Sequence, residues 1–343
     1  MKLRWKSALG VVLSAGGLWW ALHGVPWHDV MDRLRHASVP LIILCSVAAT
    51  GIFPLRAIRW QIILDPVVPD LPIAPLWRAV AIGAMANNVL PARAGELARA
   101  YALTRERPDV SFSTSFASLA VDRLFDAAAV LLLMGASMLD PNFPGIADLG
   151  GRSVASAGIG VVGITLAGFL ALYVLASYPQ RMIRMYEAFA RRVAPAIEER
   201  GRRILMSFAR GLSVLRSPRR FLRVLWWALL HWLLNAFAFW LAFKAVHVDV
   251  PLSAALFVQG VIVVFVSIPS TPGFAGVFEA GAKLSLAVYG IGAAAAATWA
   301  LLFHVVSYIP ITLMGAWYLT RAGITYGDIQ AAAARDGAHN ATS

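Results

Sequence analysis

The sequence predicts an all-α, polytopic integral membrane protein, and three observations carry that expectation. Hydrophobic residues make up 59% of the 343-residue chain, charged residues only 14%, and the mean hydropathy is +0.69. A soluble domain carries about a quarter charged residues. Long apolar runs alternate with short loops rich in arginine or in aspartate. Two runs are interrupted by proline, glycine and charge together, at Asn87–Arg99 (NNVLPARAGELAR) and Ser267–Lys283 (SIPSTPGFAGVFEAGAK). Pro removes a backbone donor and Gly is flexible, so no simple spanning helix runs through either stretch. In lipid, broken backbone survives only where it is buried in protein or lines a wet cavity, so each stretch is expected to mark a site.

The elements follow in order. A basic start (Lys2, Arg4, Lys6), an apolar middle and the absence of a convincing small-x-small cleavage site predict an uncleaved first span, Ser7 to Leu22, with Trp19 and Trp20 at the far interface. A polar loop with His28, Asp29, Asp32, Arg33 and Arg35 leads to a second span. That span is expected to run from Val39 to Phe53 and to stop at Pro54, with Arg56, Arg59 and Trp60 as flank. A proline-spaced connector (DPVVPDLPIAP) precedes Leu76–Leu90, which is too short to cross about 30 Å comfortably. Leu76–Leu103 therefore reads as a helical hairpin that returns to its side of entry. Ser115–Leu139 and Val154–Tyr178 are long spans separated by an acidic loop. Tyr178–Arg223 holds twelve arginines and three glutamates and reads as amphipathic helix lying on anionic lipid. Val224–Val246, Leu252–Ile268 and Ala293–Leu319 complete the apolar runs.

Lys and Arg in short loops set orientation. They place both termini, Arg56–Arg59, Arg93–Arg107 and Tyr178–Arg223 in the cytoplasm, and the loops at Asp29, Asp140–Asp148 and Asp249 outside. These assignments agree if Leu76–Leu103 is re-entrant from the cytoplasm and Leu252–Gly290 from the outside. The expected architecture is six spans plus two opposed re-entrant hairpins, an inverted repeat with the site between the breaks. Eight ordinary, kinked spans are the alternative. One transmembrane domain, residues 1–320, would precede a polar tail, residues 321–343.

Charges at membrane depth cost several kcal/mol unless paired or hydrated, so they are the best clues to a site. Asp122 and Asp126 share a helix face, and Arg123 stands i,i+3 to Asp126. Two carboxylates and one guanidinium form either a relay or a structural ion-pair clasp, and they call for another cation, with Arg93 or Arg99 the natural candidate. A helix restarting near Ala94 would aim its N–H groups at the break, with Arg93 beside it as a phosphate seat and Glu96 and Arg99 at helical spacing. Asn87 and Asn88 would cap the preceding half-helix or meet a polar head group. In the second break, Ser270 and Thr271 with Pro272-Gly273 would open a half-helix. Glu279 and Lys283 stand i,i+4, either as a self-satisfied pair or with Glu279 at a cavity. His231, Asn235 and His304, lone polar residues in spans, read first as packing groups and second as candidates for the cavity.

The single cysteine, Cys45, excludes an intrachain disulfide and a cysteine-based metal site, and no cofactor is expected. No G-x-x-x-x-G-K-[ST], H-E-x-x-H or G-x-S-x-G occurs, which disfavours a nucleotide-driven pump and an enzyme built on those motifs. The net charge of +12 comes with no folded reader module, so nucleic acid is not an expected partner.

The stretches N-N-V-L-P-A-R-A-G-E-L-A-R (Asn87–Arg99), S-L-A-V-D-R-L-F-D (Ser118–Asp126) and I-P-S-T-P-G-F-A-G-V-F-E (Ile268–Glu279), with R-A-I-R-W at Arg56–Trp60, closely resemble the lysylphosphatidylglycerol synthase transmembrane-region family. That family is a flippase-like membrane domain, found fused to an aminoacyl-transferase and also alone. The resemblance covers roughly residues 5 to 320. It implies a bacterial or archaeal inner-membrane protein that moves a phospholipid or lipid-linked substrate, here without the transferase domain. On that basis Arg93 and Arg99 would seat a phosphate, and Asp122, Asp126 and Glu279 would balance charge or carry a coupling proton. A membrane-embedded lipid-modifying enzyme, with Glu96 or Asp122 as base, and a non-transporting partner of a separate transferase are the rival expectations.

Overall fold

The computed structural model describes residues 2–90, 94–144, 154–193, 217–268, 270–323 and 327–328, and the side chains of the first helix only from Val12 onward. Among the described residues there are twelve α-helices, one 3-10 turn and no strand. They are α1 (Lys2–Leu22), α2 (Trp27–Arg35), α3 (Val39–Leu64), α4 (Ile73–Val89), α5 (Gly95–Glu106), α6 (Phe112–Ser137), α7 (Val154–Ser177) and α8 (Pro179–Val193), then α9 (Pro218–Ala245), α10 (Leu252–Val266), the turn Pro272–Phe274, α11 (Val277–Ala287) and α12 (Ala293–Arg321). Of these, α3, α9 and α12 are long and apolar enough to cross a membrane. Helix α6 has 26 residues, enough length to cross, but carries Asp122, Arg123 and Asp126 along it.

A four-helix order of long, short, short, long occurs twice. The lengths are 26, 17, 12 and 26 residues for α3 to α6, and 28, 15, 11 and 29 for α9 to α12. At 1.5 Å per residue the short helices reach roughly 16–26 Å, less than the ~30 Å of a hydrocarbon core. In each half the short helices pack on one another as a hairpin, α4 on α5 and α10 on α11. Between the halves the packing is reciprocal. The leading helices α3 and α9 lie together, α4 packs on the closing helix α12 of the other half, and α10 packs on the closing helix α6 of the first. Contact between α4 and α12 is close: a Cβ added at Gly315 would lie 2.4 Å from the Ala81 carbonyl oxygen.

Two apolar cores follow from this pairing. One gathers Trp60, Leu76, Leu103 and Phe125. The other is aromatic, with Phe243 stacked on Trp299 at 4.5 Å and Phe239 edge-on to Phe303 at 4.5 Å; such pairs add about 0.5–1.5 kcal/mol beyond burial. Outward faces are also apolar, at Ile43, Leu44 and Val47 on α3, Ile164 and Leu170 on α7, and Val305, Ile309 and Leu313 on α12. Exposed apolar bands of this kind mark a surface that meets something other than water, here lipid.

Two sequence expectations are corrected. Residues 27–35 are not a loop but the amphipathic helix α2. Asp29 stands in its first turn and Arg33 and Arg35 in its last, matching the helix dipole, and its Val30 is fully buried against Val25 and Ala297. The second span does not stop at Phe53. Helix α3 continues through Pro54 to Leu64, as a proline inside a membrane helix permits when neighbours satisfy the freed backbone. Arg56, Arg59 and Trp60 therefore belong to the helix rather than to a flank. Of the basic stretch 178–223, α8 and the start of α9 are described, and residues 194–216 lie outside the described residues.

Candidate functional site

The first hairpin is built around a tight glycine contact and an asparagine cap. The backbone N–H of Gly95 donates to Asn87 Oδ1 at 2.9 Å, so Asn87 caps the returning helix α5 rather than its own helix α4. A Cβ on Gly95 would stand 2.2 Å from the Gly83 carbonyl oxygen and 2.4 Å from Asn87 Cγ, so only glycine fits there. Asn88 instead donates from Nδ2 to Thr312 Oγ1 of α12 at 2.8 Å. Arg93 lies outside the described residues.

This hairpin holds Arg99 against a buried ion cluster on α3 and α6. Arg59 is fully buried and bridges both aspartates. Its Nε donates to Asp122 Oδ1 at 2.7 Å, its Nη2 lies 2.6 Å from the same oxygen, and its Nη1 lies 2.8 Å from Asp126 Oδ1. Arg99 donates from Nη1 to Asp122 Oδ2 at 3.0 Å and stacks its guanidinium 4.0 Å above the Trp60 ring. Trp60 in turn donates to Ser118 Oγ at 2.7 Å. Asp126 also receives Trp232 Nε1 at 3.0 Å and Arg123 Nη1 at 3.2 Å. Arg123 pairs with Glu96 at the outer edge. His231 is buried, 3.6 Å from Asp126.

The expected clasp of Asp122, Arg123 and Asp126 is therefore present, but its charge balance is the reverse of the sequence reading. With Arg56 and Arg59 inside the helix, four guanidinium groups stand against three carboxylates. Arg56, Arg99, Arg123 and Glu96 line a narrow cleft between the helices, bounded by Gly83, Asn87 and Gly95. Several of its donors face no acceptor: Arg56 Nε and Arg99 Nε and Nη2 find no hydrogen-bond partner among the described residues. Arg99 is 3% exposed. Unpaired guanidinium N–H groups at that depth are costly and favour an anion. In this conformation the cleft has a volume of about 10 Å³, room for roughly one water. A wider, open depression of about 590 Å³ lies where α4 begins and α5 and α12 end, lined by Arg78, Arg105, Glu106, Tyr318 and Arg321.

The second break meets the first hairpin. Its 3-10 turn packs on α4, and a Cβ on Gly273 would lie 3.4 Å from the Asn88 carbonyl oxygen. Gly273 and Gly276 hold φ of +70° and +89°, the left-handed region that glycine tolerates. Ser270 and Thr271 do not open the half-helix. Thr271 starts only the 3-10 turn, its N–H donating to Ser14 Oγ at 2.9 Å, and Ser270 lies half-buried beside it. Helix α11 begins after Gly276, whose N–H donates to Glu279 Oε2 at 2.6 Å. Lys283 is not paired with Glu279 either: its Nζ donates to the Trp20 carbonyl at 2.8 Å, above the Trp20 ring. Glu279, 4% exposed, turns to α12, where its Oε1 lies 2.5 Å from His304 Nδ1. His304 Nε2 and the Tyr308 hydroxyl both donate to the Gly273 carbonyl, at 2.8 and 2.6 Å. Asn235 donates to Gln259 Oε1 at 3.1 Å, a packing bond between helices. Arg59, Arg56, Trp232 and Tyr308 are the members the sequence did not assign, while His304, read first as a packing group and second as a cavity candidate, bonds Glu279 and the Gly273 carbonyl. The one signal for the arginines was the unbalanced aspartate pair, which demanded a cation at its own depth.

A polytopic helical membrane protein with paired broken hairpins around a buried arginine–carboxylate cluster is the class that this geometry defines. The chain belongs to the family described as "Lysylphosphatidylglycerol synthase TM region", whose model matches residues 7–315. It is similar to two UPF0104 membrane proteins of Methanothermobacter thermautotrophicus. One is 28% identical over 305 residues, 84% of this chain and 85% of that protein; the other is 24% identical over 330 residues, 91% and 94%. It also matches a glycosyltransferase, AglD of Haloferax volcanii, at 33% identity over 123 residues, 36% of this chain and 19% of that protein.

Proposed function

We propose that this chain is a translocase for an anionic phospholipid or lipid-linked substrate, with Arg56, Arg99 and Arg123 as the phosphate seat. The observation that carries this reading is the set of unpartnered guanidinium donors on Arg56 and Arg99, in a cleft lined by Arg56, Arg99 and Arg123 against the single carboxylate of Glu96. A phosphate supplies the missing charge and acceptors, and guanidinium binds it bidentately. The cleft is closed in this conformation, so the substrate enters another one. The doubled long, short, short, long order and its reciprocal packing support an inverted repeat whose hairpins re-enter the membrane from opposite faces. The positive-inside rule then puts both termini, the basic segment and the open Arg78–Arg321 depression at the cytoplasmic leaflet, where anionic lipid gathers.

Transport is favoured over lipid modification by the state of Asp122, one of the two candidate bases. Asp122 accepts from Arg59 and Arg99 at both oxygens. Glu96 accepts from Arg123 through Oε1, and its Oε2 has no partner among the described residues, so a lipid product that disappears in Glu96→Gln would favour modification instead. The match to a glycosyltransferase favours one second reading: a membrane partner that presents a lipid-linked acceptor to a separate transferase.

The test uses the full-length protein in liposomes with NBD-labelled phosphatidylglycerol and dithionite, beside mass spectrometry of co-purifying lipid. Arg56→Gln removes a seat donor without touching an ion pair. A charge-assisted hydrogen bond contributes about 1.5–3 kcal/mol, so translocation should fall roughly 10- to 150-fold with unchanged melting. Full rates in both Arg56→Gln and Arg123→Gln would remove the seat. Co-purification of a transferase with no translocation would favour the second reading.

A further inference from the structure

The Gly273 carbonyl oxygen carries no hydrogen, so His304 Nε2 must donate to it across 2.8 Å. The other ring nitrogen, Nδ1, lies 2.5 Å from Glu279 Oε1, the range of a charge-assisted hydrogen bond. One hydrogen must lie between them, since otherwise two lone pairs would face each other. It can rest on Nδ1, giving imidazolium and carboxylate, or on Oε1, giving two neutral groups. Either way the pair is neutral, and losing that proton leaves one buried negative charge.

Among the described residues no other cation stands ready to balance that charge. Helix α11 packs on α1, α10 and α12. Helix α10 has no ionisable side chain, and neither do the described side chains of α1. From α12 the facing groups are His304 and Tyr308, and Tyr308 is engaged with Gly273. Lys283, one turn along α11, is tied to Trp20. The contrast with the arginine cluster is chemical. Asp122 and Asp126 face guanidinium groups, which do not release protons, so a proton reaches them only by breaking an ion pair. Among the described residues, His304 is the proton-exchanging group that hydrogen-bonds a buried carboxylate; His231 stands 3.6 Å from Asp126, beyond hydrogen-bond distance. It keeps 14% of its side chain exposed, so the pair is open at one end.

We propose that Glu279 and His304 form a proton-binding site that couples substrate movement to proton movement; the coupling, though not the site, rests on the translocase reading above. The same proton holds the second break closed. It fastens His304 between Glu279 and the Gly273 carbonyl, while Glu279 Oε2 holds the Gly276 N–H. Its loss sets a lone pair on Nδ1 against the carboxylate and so weakens the hold of His304 on the turn, leaving the Tyr308 hydroxyl on the Gly273 carbonyl. That turn packs on α4 beside Asn88, the residue after the Asn87 cap of the arginine hairpin.

The site is tested by ¹⁵N-histidine NMR of the full-length protein in nanodiscs between about pH 5 and pH 9, with His304 assigned through His304→Asn. The His304 ring should exchange its proton within that range, and Glu279→Gln should alter the course of that exchange, because the group bonded to Nδ1 has changed. A His304 ring in one form throughout, or an exchange unaltered by Glu279→Gln, overturns the site. Should Glu279→Gln not fold, proton uptake per chain serves instead: His304→Asn must lose one proton relative to the native protein, and an equal count overturns the site. For the coupling, NBD-phosphatidylglycerol translocation in liposomes should rise at least fivefold with an imposed pH gradient and lose that gain in His304→Asn. Equal rates with and without the gradient overturn the coupling. Absence of translocation under every condition, with the titration intact, refutes the translocase reading and leaves the proton site standing.

Discussion

Removing Arg59 should destabilise the protein more than any other single change in the charge cluster. Arg59 has no exposed surface and contacts both carboxylates of α6, three of its contacts falling between 2.6 and 2.8 Å. Arg59→Met keeps most of the side-chain length but leaves Asp122 with Arg99, and Asp126 with Arg123 and Trp232. Breaking a buried ion pair from one side costs about 3–5 kcal/mol, because the remaining charge stays buried. Those remaining partners place the loss near the lower figure, ~3 kcal/mol. At roughly 2–4 °C per kcal/mol for a chain of this order of size, the melting temperature should drop by on the order of 10 °C. Fluorescence-detected size-exclusion chromatography of heated, detergent-solubilised protein reads this directly. The double variant Arg59→Met/Asp122→Asn should recover part of the loss, with a coupling of at least ~1 kcal/mol. A melting temperature within 2 °C of the native one in the single variant, or simple additivity in the double, would refute the claim that this pair is buried and mutually dependent.

Three further outcomes follow from the hairpins. Gly95→Ala should push α4 and α5 apart and cost about 1–3 kcal/mol, since its Cβ would lie 2.2 Å from the Gly83 carbonyl oxygen; native melting in this variant would contradict that packing. Asn87→Ala should lose about 1 kcal/mol by uncapping α5, while Asn87→Asp keeps an acceptor and most of that stability; equal losses in the two would rule out the cap. Lys283→Met should cost less than ~1 kcal/mol, because Lys283 meets only the Trp20 carbonyl and ring at an exposed edge; a loss as large as that of Arg59→Met would mean that Lys283 pairs with Glu279 after all.

The positions of the breaks were legible in the sequence because proline and glycine act on their own backbone. Gly95, Gly273 and Gly276 stand where the helices stop, and Ala94 and Gly95 begin the returning helix as expected. The ion pairing within α6 was legible for the same reason: Arg123 and Asp126 are neighbours on one turn. What lay hidden depends on partners far along the chain. Arg59 sits 63 residues from Asp122, and an arginine after a proline reads as loop unless the helix is known to continue. Lys283 fits Glu279 by spacing, yet Glu279 is drawn away by His304, 25 residues on and in another helix. Local rules give a residue its possible partners, and packing between the two halves chooses among them.

The exchange of partners between the halves also bears on the order of events during synthesis. Helix α4 finishes at Val89, but the helix that covers it, α12, begins at Ala293. Ala81 thus waits for Gly315, and at ~5–20 residues per second the ribosome needs roughly 10–50 s to make the chain between them. Through that interval the first hairpin lacks its covering wall, while α6 awaits α10. A chain truncated before Ala293 should therefore be degraded by the cell's membrane proteases, and supplying α12 on a separate polypeptide should rescue it in part. Stable accumulation of the truncated chain would show that the first half closes without the second.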